Sequence, residues 1–404
     1  MHLFRLRETL EREVGMDDRK AINRYTTGIY LVMFTMSVCN TIQSPLLTVL
    51  IDHYQLKSAM QGILSSFQSI GSLVALFIAV FVTGKVGKPA IMLTLSLLFV
   101  LSMLGAATMP AFFVLVIFYM VFGIAKGLTD AATSSSIADL YDGRTTARRM
   151  GVLHGVFGIG GLLAPILIVQ LLRTGMPWNY VYLVFAIFSL LSLIAFSWIY
   201  NTARQTIKPL QRSSRIDFSA VKAFSRSRRN WLLLGATFAF AVCQIGYFLW
   251  ISRYVEVRLG DAPMGAVALS LFWIGTAASR IFLPRLKMPS VRIIIWGNLL
   301  AGIFALAGIW SMSIPVILVT SLLVGITSGA AISLLLYIGC TWMRENTMFM
   351  TTAIYLVFYI GQIVCPPMVG AINAAAGMSW GMTAALLFAL LSSLCFLPLR
   401  KEKI

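Results

Sequence analysis

The chain has 404 residues, of which 59% are hydrophobic and only 11% charged, and its net charge is +18. A water-soluble domain carries about 25% charged residues, so this chain has too few polar groups to cover an aqueous surface. That excludes a soluble enzyme, a disordered chain and a secreted disulfide scaffold, and leaves a polytopic membrane protein. Nor does the positive charge indicate nucleic acid. A nucleic-acid binder needs a basic face on a soluble module, whereas these charges lie between apolar runs.

A bilayer core about 30 Å thick takes about 20 apolar residues per helix. Twelve runs meet that length: 25–51, 59–82, 90–109, 111–138, 150–172, 179–200, 231–252, 263–283, 291–311, 313–338, 348–371 and 378–399. Main-chain polar groups find no water inside lipid, so the runs are predicted to be helices. Barrel strands would be shorter and would alternate in polarity. The first 24 residues are charged and lack the apolar core of a cleavable signal peptide.

Lys and Arg orient the spans. With the N-terminus inside, the cytoplasmic segments hold 26 of them and the external loops four, Lys57, Arg173, Arg253 and Arg258. Both termini are therefore predicted to be cytoplasmic. The expected layout is a tail (1–24), a six-helix bundle (25–200), a basic linker (201–230), a second six-helix bundle (231–399) and a short tail (400–404). The linker carries one acid, Asp217, and is expected to lie near anionic lipid.

Ionisable residues inside a span are costly, about 2.5–3.5 kcal/mol each on insertion scales, so each one is a functional candidate. The fourth run holds Lys126 and Asp130, whose i,i+4 spacing puts them on one helix face. Two readings follow. The pair neutralises itself and locks the bundle, or it lines a cavity. In the second reading Asp130 couples protons, and Lys126 tunes it or binds an anionic group of the substrate. His154 in the fifth run either packs or relays protons with Asp130. Arg280, near the end of the eighth run, is read as structural or gating, with a stem long enough to snorkel to the interface.

Neutral polar and aromatic side chains form a second set. Asn40 and Gln43 precede Pro45 in the first run. Gln244, Tyr247 and Trp250 follow one another at three-residue spacing in the seventh, and Trp273 is central in the eighth. Tyr355, Tyr359 and Gln362 recur at four and three residues in the eleventh. Amides to bond hydroxyls and aromatic faces to cover C–H surface suit a hydroxylated solute.

The halves repeat at an offset of about 200 residues, as in transporters built from duplicated bundles. Gly160-x4-Pro165 matches Gly361-x4-Pro366, Gly123-x3-Gly127 matches Gly325-x3-Gly329, and Lys88-Pro89 matches Met288-Pro289. The row Gly155, Gly158, Gly161 permits close helix contact and is expected to shape packing and rocking.

With this layout, the chain resembles the major facilitator superfamily over essentially its whole length. Within it, the chain is most similar to the branch of fucose permease and related sugar–proton symporters. The similar stretches are Phe122–Asp130, Leu153–Pro165, Gln244-x5-Trp250-x3-Tyr254 and Phe272-Trp-Ile-Gly275-x4-Arg280. The resemblance implies alternating access, with the cavity lined by spans one, four, seven and ten. It also implies structural or gating roles for the loop residues Gly84, Lys85 and Lys88 and for Gly158, Pro165, Arg280 and Pro366. Four positions depart from the branch: Gly84 stands at its usual Asp, Ser134 at its Asn, Gln244 at its Glu, and Lys126 at a small or apolar residue.

The expected function is a secondary transporter in a bacterial inner membrane. It would act as a monomer amid lipid, moving a sugar, sugar acid or hydroxylated carboxylate by proton symport. Efflux antiport of amphipathic compounds is the alternative within the fold, and sodium is the other candidate coupling ion. No cofactor, metal or nucleic acid is expected. The three His are far apart, no phosphate-binding loop is present, and Cys39, Cys243, Cys340, Cys365 and Cys395 show no metal-ligand spacing and read as small packing residues.

Overall fold

The structure, a computed structural model, describes residues 16–56, 63–82, 87–211, 222 and 224–402. The described chain is helical. The first half comprises α1 (Met16–Asn40), α2 (Gln43–Tyr54), α3 (Ile63–Val82), α4 (Lys88–Ala107), α5 (Phe112–Leu140), α6 (Gly143–Arg173) and α7 (Trp178–Leu210). The second comprises α8 (Arg228–Leu259), α9 (Ala262–Phe282), α10 (Ser290–Ser311), α11 (Ile314–Ser328), α12 (Ala331–Trp342), α13 (Thr347–Ala376) and α14 (Met378–Phe396). Ten of the described stretches are long and apolar enough to cross a bilayer, with α11 and α12 counting together as one of them.

Two predicted helices are broken. The first run divides at Thr41–Ile42. Pro45 supplies no N–H to the carbonyl four residues back and crowds it. The Thr41 N–H is shared between the Ser37 and Val38 carbonyls, and its hydroxyl donates to Ser37 O at 2.6 Å. The tenth run divides at Gly329–Ala330. There the Ser279 hydroxyl accepts from Ala330 N at 2.9 Å, and Arg280 Nε donates to Gly329 O at 3.1 Å. Irregular backbone at membrane depth survives only where protein groups satisfy it, and these side chains do so.

Helices also outrun the apolar stretches. α7 continues through Leu210, ten residues into the predicted linker, because its end docks on α1. Thr206 Oγ1 donates to Asp18 Oδ1 and Gln211 Nε2 to Tyr25 Oη, both at 2.9 Å. The predicted tail is likewise helical from Met16.

Packing repeats between the halves. α1 packs on α6 and α7 as α8 packs on α13 and α14, and α3 packs on α5 as α9 packs on α11. The glycines account for the last pair of contacts. A Cβ on Gly123 or Gly127 of α5 would collide with the Gln68 or Ser72 carbonyl of α3. A Cβ on Gly325 of α11, or on Gly329 just past its end, would collide with the backbone at Phe272 or Thr276 of α9. Gly71 and Gly275, which the sequence comparison did not pair, make the reciprocal approaches from α3 and α9.

Overpacking a tight contact costs about 1–3 kcal/mol. Gly123→Ala and Gly325→Ala are each expected to lower the melting temperature of the purified protein correspondingly. Gly370→Ala, whose added Cβ meets nothing within 4 Å, is expected not to lower it.

Candidate functional site

The halves meet along α5 and α13 and along α6 and α9. At mid-depth, Lys126 and Asp130 sit one turn apart on α5, with side chains 13% and 7% exposed. Lys126 Nζ is 3.2 Å from Asp130 Oδ2. Tyr359 of α13 reaches across and closes a triangle. Its hydroxyl donates to Asp130 Oδ2 at 2.5 Å and accepts from Lys126 Nζ at 2.5 Å. The same ammonium lies 4.6 Å from the Tyr359 ring centre, where the ring quadrupole attracts it.

From this triangle the seam runs toward the end of the bundle that carries the basic loops. The Ser134 and Tyr355 hydroxyls are 3.1 Å apart, and Thr351 Oγ1 donates to Ala131 O at 3.2 Å. At the basic end, Lys88, Asp139 and Thr347 form a second buried cluster. Lys88 Nζ donates to Asp139 Oδ2 at 2.5 Å and to Thr347 Oγ1 at 2.9 Å, and Thr347 donates to Asp139 Oδ1 at 2.7 Å. Lys88 and Asp139 belong to the first half and Thr347 to the second. Arg344 and Asp142, at 2.6 Å, add a half-exposed pair between the halves.

Arg280 corrects the snorkelling expectation. It is buried and turned inward, bonding Gly329 O through Nε and His154 O through Nη1, each at 3.1 Å. A guanidinium has five N–H groups in a rigid fork. Two main-chain carbonyls, one from each half, therefore hold it inside the bundle, where snorkelling would have taken it out to the polar interface. Asp130 is within electrostatic reach of Arg280.

The remaining predicted residues scatter. His154 is buried with Nε2 3.5 Å from Tyr355 Oη, so Tyr355 is its seam partner. Asn40 ends α1 and accepts from Gln68 Nε2 at 2.7 Å. Gln43 opens α2, and its side chain lies outside the described ones, as do Gly84 and Lys85 entirely. Gln244 is buried with its Nε2 unpartnered among the described residues. Tyr247 departs from the expected common face. It is enclosed in the second half, bonded to Ser321 Oγ at 2.8 Å and packed on Phe272. Three-residue steps fall about 60° short of a full turn, so Gln244, Tyr247 and Trp250 rotate away from one another. Trp250 packs within the second half, and Trp273 lies against Phe248 and Phe272. Gln362 is half-buried on α13. Gly158 faces Ala277 across the seam, while Pro165 and Pro366 lie inside α6 and α13.

Sequence reasoning missed Asp139, Thr347 and Gln68. Asp139 follows the fourth run's apolar core, where a solvated acid is unremarkable. Its one legible signal is a lysine-containing loop that the fold returns to the same end.

The geometry defines a polytopic membrane protein whose two halves are joined by polar contacts at one end and at mid-depth. A family model described as Major Facilitator Superfamily matches residues 29–287, and the chain belongs to that superfamily of transporters. The uncharacterized MFS-type transporter YfkL of Bacillus subtilis is 22% identical over 364 residues, 87% of this chain and 90% of that protein. The structure of the human organic anion transporter MFSD10 superposes with a TM-score of 0.74 at 16% identity, covering 93% of this chain and 99% of that one. FucP, the E. coli fucose:proton symporter, superposes in its outward conformation with a TM-score of 0.70 at 15% identity, over 94% of this chain and 100% of that one. The chain is a membrane transport protein and not an enzyme.

Removing one partner of a buried ion pair costs about 3–5 kcal/mol, because the other charge is left without its counter-ion. Lys88→Met is therefore expected to loosen the basic end. Cys340, buried with its Sγ 4.0 Å from Thr347 O, is a native reporter. Its maleimide labelling is expected to be faster in Lys88→Met than in the parent protein. An unchanged rate would mean the cluster does not hold the seam.

Proposed function

We propose that this protein is a proton-coupled symporter of a small hydroxylated carboxylate, such as a sugar acid, working by alternating access in a bacterial inner membrane. The observation that carries the reading is the Lys126–Asp130–Tyr359 triangle, buried at mid-depth and shared between the halves. In this reading the chain crosses the membrane twelve times, counting α1 with α2 and α11 with α12 as one crossing each. Both termini and the basic end are cytoplasmic, so the joined seam corresponds to a state closed to the cytoplasm. The protein acts as a monomer, without an organic cofactor.

Charge supports an anionic solute. Among the described residues, buried Lys88 and Arg280 and the partly buried Lys126 face two buried carboxylates, Asp130 and Asp139. A buried charge needs a partner, and the surplus cation favours a substrate that brings one negative charge. The solute class combines what two structural neighbours are described as carrying, an organic anion and fucose with a proton. Coupling then follows from competition. Lys126 cannot fully pair with Asp130 and with a substrate carboxylate at once, so a proton on Asp130 releases Lys126 to the substrate. Separation of Tyr359 from α5 lets the seam open.

Thermal stabilisation across sugars, uronic and aldonic acids, simple carboxylates and amphipathic drugs tests the substrate class. A ligand at 100 times its Kd adds about 2.7 kcal/mol. Hits among hydroxylated acids support the reading, and shifts from amphipathic compounds alone would replace it with efflux. With the identified solute in proteoliposomes, Asp130→Asn is expected to abolish accumulation driven by a pH gradient while counterflow exchange persists. Unchanged accumulation would remove Asp130 from coupling. Lys126→Met should weaken an acidic substrate by about 10–100-fold, the worth of a hydrogen bond to a charged group, and a neutral analogue far less.

A further inference from the structure

A second basic feature lies outside the central site. At the basic end, a groove of about 480 Å³ opens between the start of α6 and the turn that joins α9 to α10. That volume is within the ~300–1,000 Å³ range of small-molecule pockets. Arg144 enters it from the first half, and Lys287 and Arg292 from the second. The halves touch within it, Arg144 Nη2 donating to Lys287 O at 3.5 Å. No carboxylate is among the described residues that line it. Asp142, beside the groove in sequence, is paired with Arg344.

The groove is not purely polar. Leu286 and Met288 line it and are 48% and 43% exposed. Phe282, the last residue of α9 and four positions before Leu286, is 60% exposed and carries Arg285 over its ring at 5.5 Å. α10 begins at Ser290 in the groove, and no side chain caps its first turn. Three cations, an uncapped helix start and an exposed apolar border meet at the edge of the bundle. A soluble anion would use only the cations. An amphiphile with an anionic head and acyl chains matches the whole arrangement.

We propose that this groove binds the phosphate headgroup of an anionic phospholipid, with Arg144, Lys287 and Arg292 around the phosphate and the acyl chains along Leu286, Met288 and Phe282. Basic pockets between membrane helices recognise such headgroups. Because the cations come from both halves, the lipid bridges them and favours the state in which the basic end is closed. The proposal is independent of the substrate reading, since it uses none of the central residues.

The test is native mass spectrometry of the full-length protein with dioleoyl phosphatidylglycerol, dioleoyl phosphatidylethanolamine or inorganic phosphate. Phosphatidylglycerol is expected to be retained in preference to phosphatidylethanolamine and not displaced by phosphate. A juxtamembrane cation contributes about 1 kcal/mol to anionic lipid binding. Retention should therefore fall about fivefold for each of Arg144→Gln, Lys287→Gln and Arg292→Gln. A control protein carrying Arg204→Gln, Arg226→Gln and Arg400→Gln at the same end should keep the lipid. In the parent protein, phosphatidylglycerol should also slow labelling of Cys340. Equal loss in the control would reduce the effect to general surface charge and overturn the site. Displacement by inorganic phosphate would make it a soluble-anion site and overturn the lipid assignment. Retention of both lipids alike would overturn headgroup recognition, whatever the variants do.

Discussion

A charge placed in the hydrocarbon layer has to be met by another group of the protein, because no water is there to meet it. That requirement organises the middle of this molecule. Lys126 and Asp130 lie on the same helix and could satisfy each other alone. They do not, since the Tyr359 hydroxyl joins both from the opposite half. The pairing that lowers the cost of burial is thus also a contact between the two halves, which the proposed alternating access would separate. The same economy recurs one level down, where Thr347 of the second half completes the Lys88–Asp139 pair of the first. Charge neutralisation and closure of the seam are the same set of bonds.

The proposed rocking would need each half to move as a body. Here the glycines matter more than any polar group. Where α3 meets α5, and where α9 meets α11, backbone lies against backbone with no side chain between them. Such contacts gain dispersion along their whole length and leave little freedom to shear. Between the halves the character changes. Arg280 spans the seam with bonds to single carbonyls, and Ser134 and Tyr355 meet hydroxyl to hydroxyl. A few directional bonds break in discrete steps, whereas packed glycine faces do not.

The broken helices link these two regimes. The break at Gly329–Ala330 frees main-chain groups inside the membrane, and both Ser279 and Arg280 bind there. Arg280 is at once the repair of a helix break and a strut to His154 on the other half. An arrangement that moves this arginine disturbs both, so the shape of α11–α12 and the seam are mechanically coupled.

Much of the architecture was legible in the residues. Over the described residues, each apolar run coincides with a helix or a broken helix, because burial in lipid demands length and apolarity and little else. The matched glycines announced the repeat, since only a missing Cβ allows that contact. The pairing of Lys126 with Asp130 was visible because four residues make one helical turn. Tertiary structure alone decided the rest. Nothing local says that Tyr359 lies beside Asp130, 229 residues away, or that Asp139 meets Thr347 across 208. Tyr247 belongs to the core and Arg280 to the seam, although sequence spacing suggested a cavity face and a lipid interface. Sequence carries the solvent each segment must survive and the period on which its side chains fall. Which faces meet depends on how twelve near-equivalent apolar stretches pack, and periodicity within one helix holds no record of that.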